Sequence, residues 1–274
     1  CVVFVVYLHL LKSLLLLRIL AKKKNILWTH GITENMSPLS KLIRIFFMKR
    51  VDSIIVYESL AKKELINFGI TENKIFVAKN SIDIRQNIEL INHNEEKFRI
   101  TFIGRLIKEK KIALLCEAFL NIVSKIDRSI LLTIIGTGED LNVLKKKYSN
   151  KRIKFIGHLD DEKKISHYMN QSLFTVSPDY LGLAIIHSFS YAVPMLVNKF
   201  PKKKHSPEIE LFDENVNGLW FNGTKKNLES QILYCLTNKK KLQKYGNNGN
   251  IKVKVNYGVE QMVECFQIAI ENID

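Results

Sequence analysis

From Phe98 onward the chain alternates at short intervals between strand-like and helical runs, and this alternation constrains the fold more than anything else in it. The strand-like pieces are FRITFIG, SILLTIIG, IKFIG, LFTVSP and PMLVN, separated by IALLCEAFLNIVSKI, DLNVLKKKYS, DEKKISHYMNQ and LAIIHSFSYA. Strands that are apolar along nearly their whole length are buried on both faces, and parallel strands need a crossover between them that a helix supplies. The expectation is an α/β fold, a doubly wound parallel sheet with helices on both faces.

A shorter series precedes it. KNILWTH, DSIIVYES and KIFVAKN read as strands, which makes only about three. Between them, SPLSKLIRIFFMKR reads as a helix capped by Ser37 with Pro38 at its first position, and LAKKELINFG as a helix that stops at Gly69. The polar stretch IRQNIELINHNEEK, residues 84–97, is the best linker candidate. The expected organisation is a partial first lobe over 1–95, a second Rossmann-like lobe over 96–250, and a terminal helix over 251–274 packing back on the first lobe. The opening CVVFVVYLHLLKSLLLLRIL is interrupted by Lys12 and Arg18, so its uncharged runs are too short for a membrane span. A buried helix following a lost strand is the expected structure there. The chain begins at Cys1 rather than methionine, and the front of the first lobe is expected to be missing.

An excess of 42 Lys and Arg over 27 Asp and Glu, a net charge of +15, suits an anionic partner: nucleic acid, a phosphorylated ligand or an acidic membrane face. No basic stretch is studded with aromatics of the kind that stack bases, so nucleic acid is not expected. An AT-rich coding composition, visible in the abundance of Lys, Asn and Ile, accounts for the excess as well. Four scattered cysteines without a C-x-x-C pair fit a reducing, cytoplasmic setting with neither a disulfide framework nor a zinc site.

Four motifs carry candidate chemistry. In FIGRLIKEKK a strand ends at Gly104, Arg105 follows at once, and Lys110 stands ahead of a long helix. Two cations there can neutralise a diphosphate, or simply be solvated on a loop. In IIGTGED, Gly136 and Gly138 separate strand from helix, either as a nucleotide-contacting loop or as a tight turn with no ligand. SPDYLGLAIIHSFSYAVP delivers Asp179 to the carboxyl edge of the sheet. Leu181, Gly182 and Leu183 then offer backbone N–H groups to an anion. His187 lies one turn on, facing the same ligand or making one local hydrogen bond. HSPEIELFDENVNGLWF places Glu208 after a strand, where a lone carboxylate is ordinarily solvated.

Taken together, in this order and spacing, the motifs resemble the donor-binding lobe of glycosyltransferase family 4, the retaining GT-B enzymes that use nucleotide sugars. GRLIKEK resembles that family's Gly-Arg…Lys diphosphate clamp, and FIGHLDDEKKISHYMNQSLFTVSP its strand-helix-strand approach to the active site. DYLGLAIIHSFSYAVP aligns with its pair of glutamates eight apart, and PEIELFDENVNGLWF with the segment that closes the site. The likeness covers residues 98–223 and, less sharply, 24–83, where WTHG, DSIIVYES and VAKNSID look like the back half of the acceptor lobe.

The resemblance implies a GT-B fold of two Rossmann-like lobes, the first incomplete, and transfer of a sugar from a UDP- or GDP-sugar to a glycan or lipid-linked acceptor in cell-surface polysaccharide synthesis. Arg105 and Lys110 would bind the leaving diphosphate, helped by the amides near Gly182 and Leu183. Asp179 would meet the donor sugar, His187 would hold the ribose, and Glu208 would order the closing loop. Gly104, Gly136, Gly138 and Leu181 would shape the donor site, and His30 would lie on the acceptor side. Neither metal nor other cofactor is implied. The setting would be cytoplasmic, with peripheral contact to an anionic membrane.

The chain departs from the family pattern at four of these places. Asp179 and His187 stand where glutamates are usual, and Lys111 and Ala192 where glycines are. The glycine-rich loop of the acceptor lobe is absent from the sequence. Two other readings accompany the transferase: a non-catalytic sugar-nucleotide-binding remnant, and a basic nucleic-acid-binding protein.

Overall fold

A computed structural model of the chain describes residues 2–5, 24–33, 36–82, 97–127, 129–200 and 205–273. Their strands form a sheet of four and a sheet of six, and every pairing between them is parallel. The chain divides into two units, residues 1–81 with 257–274, and residues 82–256.

The first unit runs β1 (Val2–Val5), β2 (Asn25–Thr29), α1 (Pro38–Met48), β3 (Ser53–Val56), α2 (Ser59–Asn67) and β4 (Ile75–Val77), with strands in the order β1-β2-β3-β4. Ser37 caps α1 as its sequence predicts, its hydroxyl accepting from the Ser40 N–H at 3.2 Å. Alternation along the strands gives the sheet two apolar faces. Leu27, Ile54 and Val56 pack with Met48 and Leu65 on one side. On the other, Ile26 and Ile55 pack with Ala269 and Ile273, the former on the last helix, α9 (Val259–Glu271).

Two expectations are corrected here. Val2–Val5 is a strand rather than the start of a helix, in register with β2 from Val2–Asn25 to Val5–Trp28. A Val-Val-Phe-Val run fits the pleated surface of a sheet better than a helix, where β-branched side chains crowd the preceding turn. The sheet therefore has four strands where three were counted. Residues 6–23 of the opening stretch lie outside the described residues, as does the expected linker apart from Lys97. Among the described residues no helix is long and apolar enough to cross a membrane.

The second unit runs β5 (Arg99–Ile103), α3 (Ile112–Ile122), β6 (Leu131–Ile135), α4 (Leu141–Tyr148), β7 (Ile153–Gly157), α5 (Glu162–Asn170), β8 (Ser172–Ser177), α6 (Ala184–Ser190), β9 (Met195–Asn198), β10 (Gly218–Phe221), α7 (Lys225–Thr237) and α8 (Lys239–Asn256). The spatial order is β10-β9-β8-β5-β6-β7. The chain builds outward from β5 through β6 to β7, then returns to β5's other side and builds outward again from β8. Leu115 and Phe119 of α3 and Leu228 and Ile232 of α7 bury one face of this sheet over Ile100, Phe102 and Ile134. Full burial of each such side chain is worth roughly 1.5–3 kcal/mol.

Helix α6 is short, and the Ala192 N–H takes up its Phe189 carbonyl at 3.0 Å. Asn250 of α8 adds a side-chain partner, its amide donating to the carbonyls of Phe189 at 3.0 Å and Ser190 at 2.7 Å. The close approach needs Gly249, where a Cβ would press into the Phe189 ring. This brace holds in place the helix that carries His187.

Candidate functional site

In an open parallel sheet, ligands bind beyond the carboxyl ends of the strands where the strand order reverses. That point lies between β5 and β8. Thr101 is level with Thr175, so Gly104 and Pro178 leave the sheet side by side. Beyond them opens a cavity of ≈ 650 Å³, lined by apolar Phe102, Val176 and Met195 and by polar Arg105, Lys110 and His187. Its size and mixed lining suit a small organic ligand with a few polar handles.

The loops after β5 and β6 form the cavity's near wall and run in contact. The Gly104 N–H donates to the Ile135 carbonyl at 3.0 Å, and the Leu106 N–H to the Thr137 carbonyl at 2.8 Å. A Cβ on Gly136 would overlap the Gly104 carbonyl oxygen, and one on Gly138 the Leu106 carbonyl oxygen. The packing of one loop on the other therefore demands both glycines, whatever the cavity holds. Gly104 and Gly136 also line it.

Lys110 ends a tight turn over Lys108–Lys110 and is buried. Its ammonium donates to the Tyr180 carbonyl at 2.7 Å and sits 3.3 Å from the centroid of the Tyr180 ring. Burial pulls its pKa down to about 8, against the pull of Asp179 and Glu208, while Arg105 adds to the lowering. A carbonyl and a ring face are weaker partners for a desolvated ammonium than an anion would be. Arg105 is exposed and lines the same cavity, so two cations converge there.

Asp179 has both oxygens engaged. One accepts from the Tyr180 N–H at 2.8 Å, and the other lies 2.6 Å from the Lys111 ammonium. Lys111 adopts φ 50° and ψ 39°, and Ala192 has φ 52°. Both are left-handed conformations natural to glycine and strained for other residues. The two positions where the sequence shows unexpected side chains thus keep the backbone that glycine would favour.

His205 is buried, and its Nδ1 accepts from the Leu181 N–H at 3.0 Å. That bond places the imidazole proton on Nε2, which is buried and has no partner among the described residues. Burial pulls the His205 pKa down to about 4, with Asp179 opposing and Lys110 reinforcing the shift. The Leu181 carbonyl in turn accepts from the Ser206 hydroxyl at 2.6 Å. Glu208 follows in the turn Pro207–Leu211 and is buried, close enough to act on Lys110.

His187 lines the cavity from α6. Burial lowers its pKa, and Glu162 opposes that shift. It is therefore neutral at pH 7, able to accept a hydrogen bond from a hydroxyl at one nitrogen and donate at the other. Its Nδ1 is buried and without a partner among the described residues. Those residues hold no group of three or more His, Cys, Asp or Glu that could hold a metal ion.

A doubly wound unit with a cation pair at its switch point is one that many families share. The deciding observation is a match of residues 83–252 to the family described as Glycosyl transferases group 1. The chain belongs to that family.

Its relatives within the group 1 glycosyltransferases include an uncharacterised glycosyltransferase of Methanocaldococcus jannaschii, 22% identical over 85% of this chain and 62% of the relative. The O-antigen biosynthesis glycosyltransferase WbnH of Escherichia coli is 31% identical over 52% of this chain and 40% of its own length. The chain thus spans less than two thirds of the length of both. Among solved structures, HepE of Anabaena in complex with UDP superimposes with a TM-score of 0.73 at 16% identity, covering 97% of this chain and 77% of that one. The lipopolysaccharide outer core galactosyltransferase WaaB gives 0.68 at 16% identity, covering 95% of this chain and 73% of that one.

Of the residues that the resemblance to glycosyltransferase family 4 singled out, Gly104, Arg105, Lys110, Gly136, Gly182, Leu183 and His187 line one cavity. Asp179 and Leu181 sit in the loop between β8 and α6, with Leu181's N–H already bound to His205 and so not offered to an anion. His30 belongs to the other unit, where its ring stacks on Tyr57 at 4.4 Å. Sequence reasoning missed Tyr180, Lys111 and His205 as parts of this site. Lys111 carried a usable signal, a long cation in a glycine position. His205 carried none, since its bond to Leu181 spans 24 residues of chain.

Proposed function

We propose that this chain carries the donor site of a retaining glycosyltransferase of GT-B architecture, moving a sugar from a UDP- or GDP-sugar to a glycan or lipid-linked acceptor. The observation that carries the reading is the convergence of Arg105, Lys110 and neutral His187 on one cavity at the sheet's switch point. UDP in the HepE structure and the O-antigen role in the name of WbnH support the nucleotide and the product class.

The chemistry follows from charge. The bond from the sugar's anomeric carbon to the β-phosphate oxygen breaks, and a bond from that carbon to the acceptor oxygen forms on the same face. The acceptor's hydroxyl proton passes to the departing diphosphate. Negative charge grows on the diphosphate as it leaves, and preorganised cations there supply the large electrostatic term in catalysis. Arg105 can fork onto two phosphate oxygens, and Lys110 exchanges a carbonyl for an anion. His187 accepts from a ribose hydroxyl, and Asp179 faces the sugar.

On the first unit, Leu39, Leu42 and Phe46 are exposed along one side of α1, with Lys49 and Arg50 exposed at its end. An apolar stripe flanked by cations fits the headgroup region of an anionic membrane, which supports a lipid-linked acceptor met at that surface.

The test is calorimetric titration of the chain with UDP, GDP, ADP and their hexose conjugates. Binding of one nucleotide series, weakened about tenfold or more in Arg105→Ala and Lys110→Ala, is expected. Absence of binding by all of them would overturn the assignment.

A further inference from the structure

Lys111 occupies a place in the backbone where a side chain is unwelcome, and its ammonium reaches across to one particular carboxylate. The two facts together are informative. A residue in the left-handed conformation at φ 50° and ψ 39° gains nothing locally from being lysine, and glycine would sit there without strain. The gain must lie at the other end of the side chain. There the ammonium meets Asp179 Oδ2 at 2.6 Å, while the Tyr180 N–H binds Oδ1 at 2.8 Å. The Asp179 side chain is only 14% exposed, against 46% for Lys111, so the carboxylate sits inward and the lysine arrives from outside.

We propose that Lys111 is the positioning residue for Asp179, and through it sets how strongly the site holds the sugar half of the donor. An aspartate reaches one methylene less far than a glutamate and so needs its orientation fixed more tightly to present an oxygen to a sugar hydroxyl. Two contacts, one on each oxygen, do this. The Tyr180 N–H leans the carboxylate toward the loop that carries it, and Lys111 holds the second oxygen against the start of α3, on the β5 side of the cavity. Each carboxylate oxygen has a second lone pair with which it can accept from a hydroxyl. Lys110, the neighbouring residue, donates instead to the Tyr180 carbonyl of the same loop. Adjacent lysines thereby divide the work: Lys110 serves the diphosphate and Lys111 the sugar. This division rests on the donor-site reading above.

The experiment measures the affinities of the chain for UDP and GDP and for UDP-glucose, UDP-galactose and GDP-mannose, in the parent, Lys111→Met, Lys111→Arg, Lys111→Gly and Asp179→Asn. The readout is the ratio of nucleotide-sugar affinity to nucleotide affinity for the tightest pair. Lys111→Met is expected to lower that ratio about tenfold with nucleotide affinity unchanged, and Asp179→Asn to lower it similarly. The double variant is expected to lose no more than either alone, because one function is removed twice. Lys111→Arg restores the ratio. Lys111→Gly loses it while melting within a few degrees of the parent, since relief of backbone strain offsets the lost ion pair; that variant separates positioning from folding. An unchanged ratio in both Lys111→Met and Lys111→Gly overturns the role of Lys111 and leaves the donor site standing. Failure of the parent to bind any of these compounds overturns the donor site, and the role of Lys111 with it.

Discussion

The Lys110 ammonium and Tyr180 form a closed pair across the switch point, with the ammonium 2.7 Å from the Tyr180 carbonyl and 3.3 Å from its ring centroid. These residues are 70 positions apart in the chain. Their meeting joins the turn that carries Lys110 to the loop that bears Asp179, and on the proposed donor-site reading it makes nucleotide binding depend on pH.

With its pKa near 8, Lys110 is charged below that pH and progressively neutral above it. A bound diphosphate favours the charged form and raises the pKa, so nucleotide affinity is expected to fall as pH rises through 8. Binding at pH 8 should take up about half a proton, read from calorimetry in buffers of different ionisation enthalpy. Lys110→Arg, which stays charged, should bind with a flat profile across the same range. Proton uptake undiminished in that variant would locate the titrating group elsewhere.

His205 makes the second unit sensitive to acid. Its folded pKa of about 4 lies below the ordinary 6.5, so between those values the unfolded chain binds the proton more readily than the folded one. Stability contributed by neutral His205 is thus complete above pH 6.5 and is lost as pH falls toward 4. His205→Gln keeps an acceptor for the Leu181 N–H and removes the titration. Urea denaturation at pH 7 and pH 4.5 should show a smaller acid loss in the variant than in the parent; equal losses would refute this assignment.

Gly136→Ala is expected to cost about 2 kcal/mol or more, or to prevent soluble expression, because the new Cβ collides with the Gly104 carbonyl and backbone cannot yield as a flexible side chain can. Gly182→Ala meets nothing within 4 Å, and its melting temperature should match the parent's. Similar thermal shifts in the two variants would contradict the loop packing described above.

The exposed stripe on α1 makes a separate prediction. Leu42→Glu with Phe46→Glu should reduce sedimentation with vesicles of mixed zwitterionic and anionic lipid severalfold, at unchanged nucleotide affinity. Equal sedimentation of parent and variant would remove the membrane from the proposal.

Much of this architecture was legible in order. The strand ends before Gly104 and at Ser177, the capped start of α1 and the break at Gly69 all follow from local signals, because β-branched runs, capping hydroxyls and glycines act within a few residues of themselves. The strand Val2–Val5 is hidden in the sequence by the leucine-rich run behind it, which gives the whole stretch a helical look. Local sequence leaves Gly136 and Gly138 open between a ligand loop and a bare turn, because the neighbouring loop that requires them follows a strand some 30 residues earlier in the chain.

What the sequence by itself determined was the alternation that forces a parallel sheet, and the placement of Arg105, Lys110 and Asp179 just past strand ends. Strand order was decided only in three dimensions. Setting β8 directly beside β5 brings Tyr180 over Lys110 and Asp179 against Lys111. The same packing brings His205 against Leu181, tying the segment that leads to Glu208 to the loop after β8. Periodicity and spacing describe neighbours along the chain. Which charges share a desolvated cavity depends on which strands share a ladder, and that is a property of the folded sheet alone.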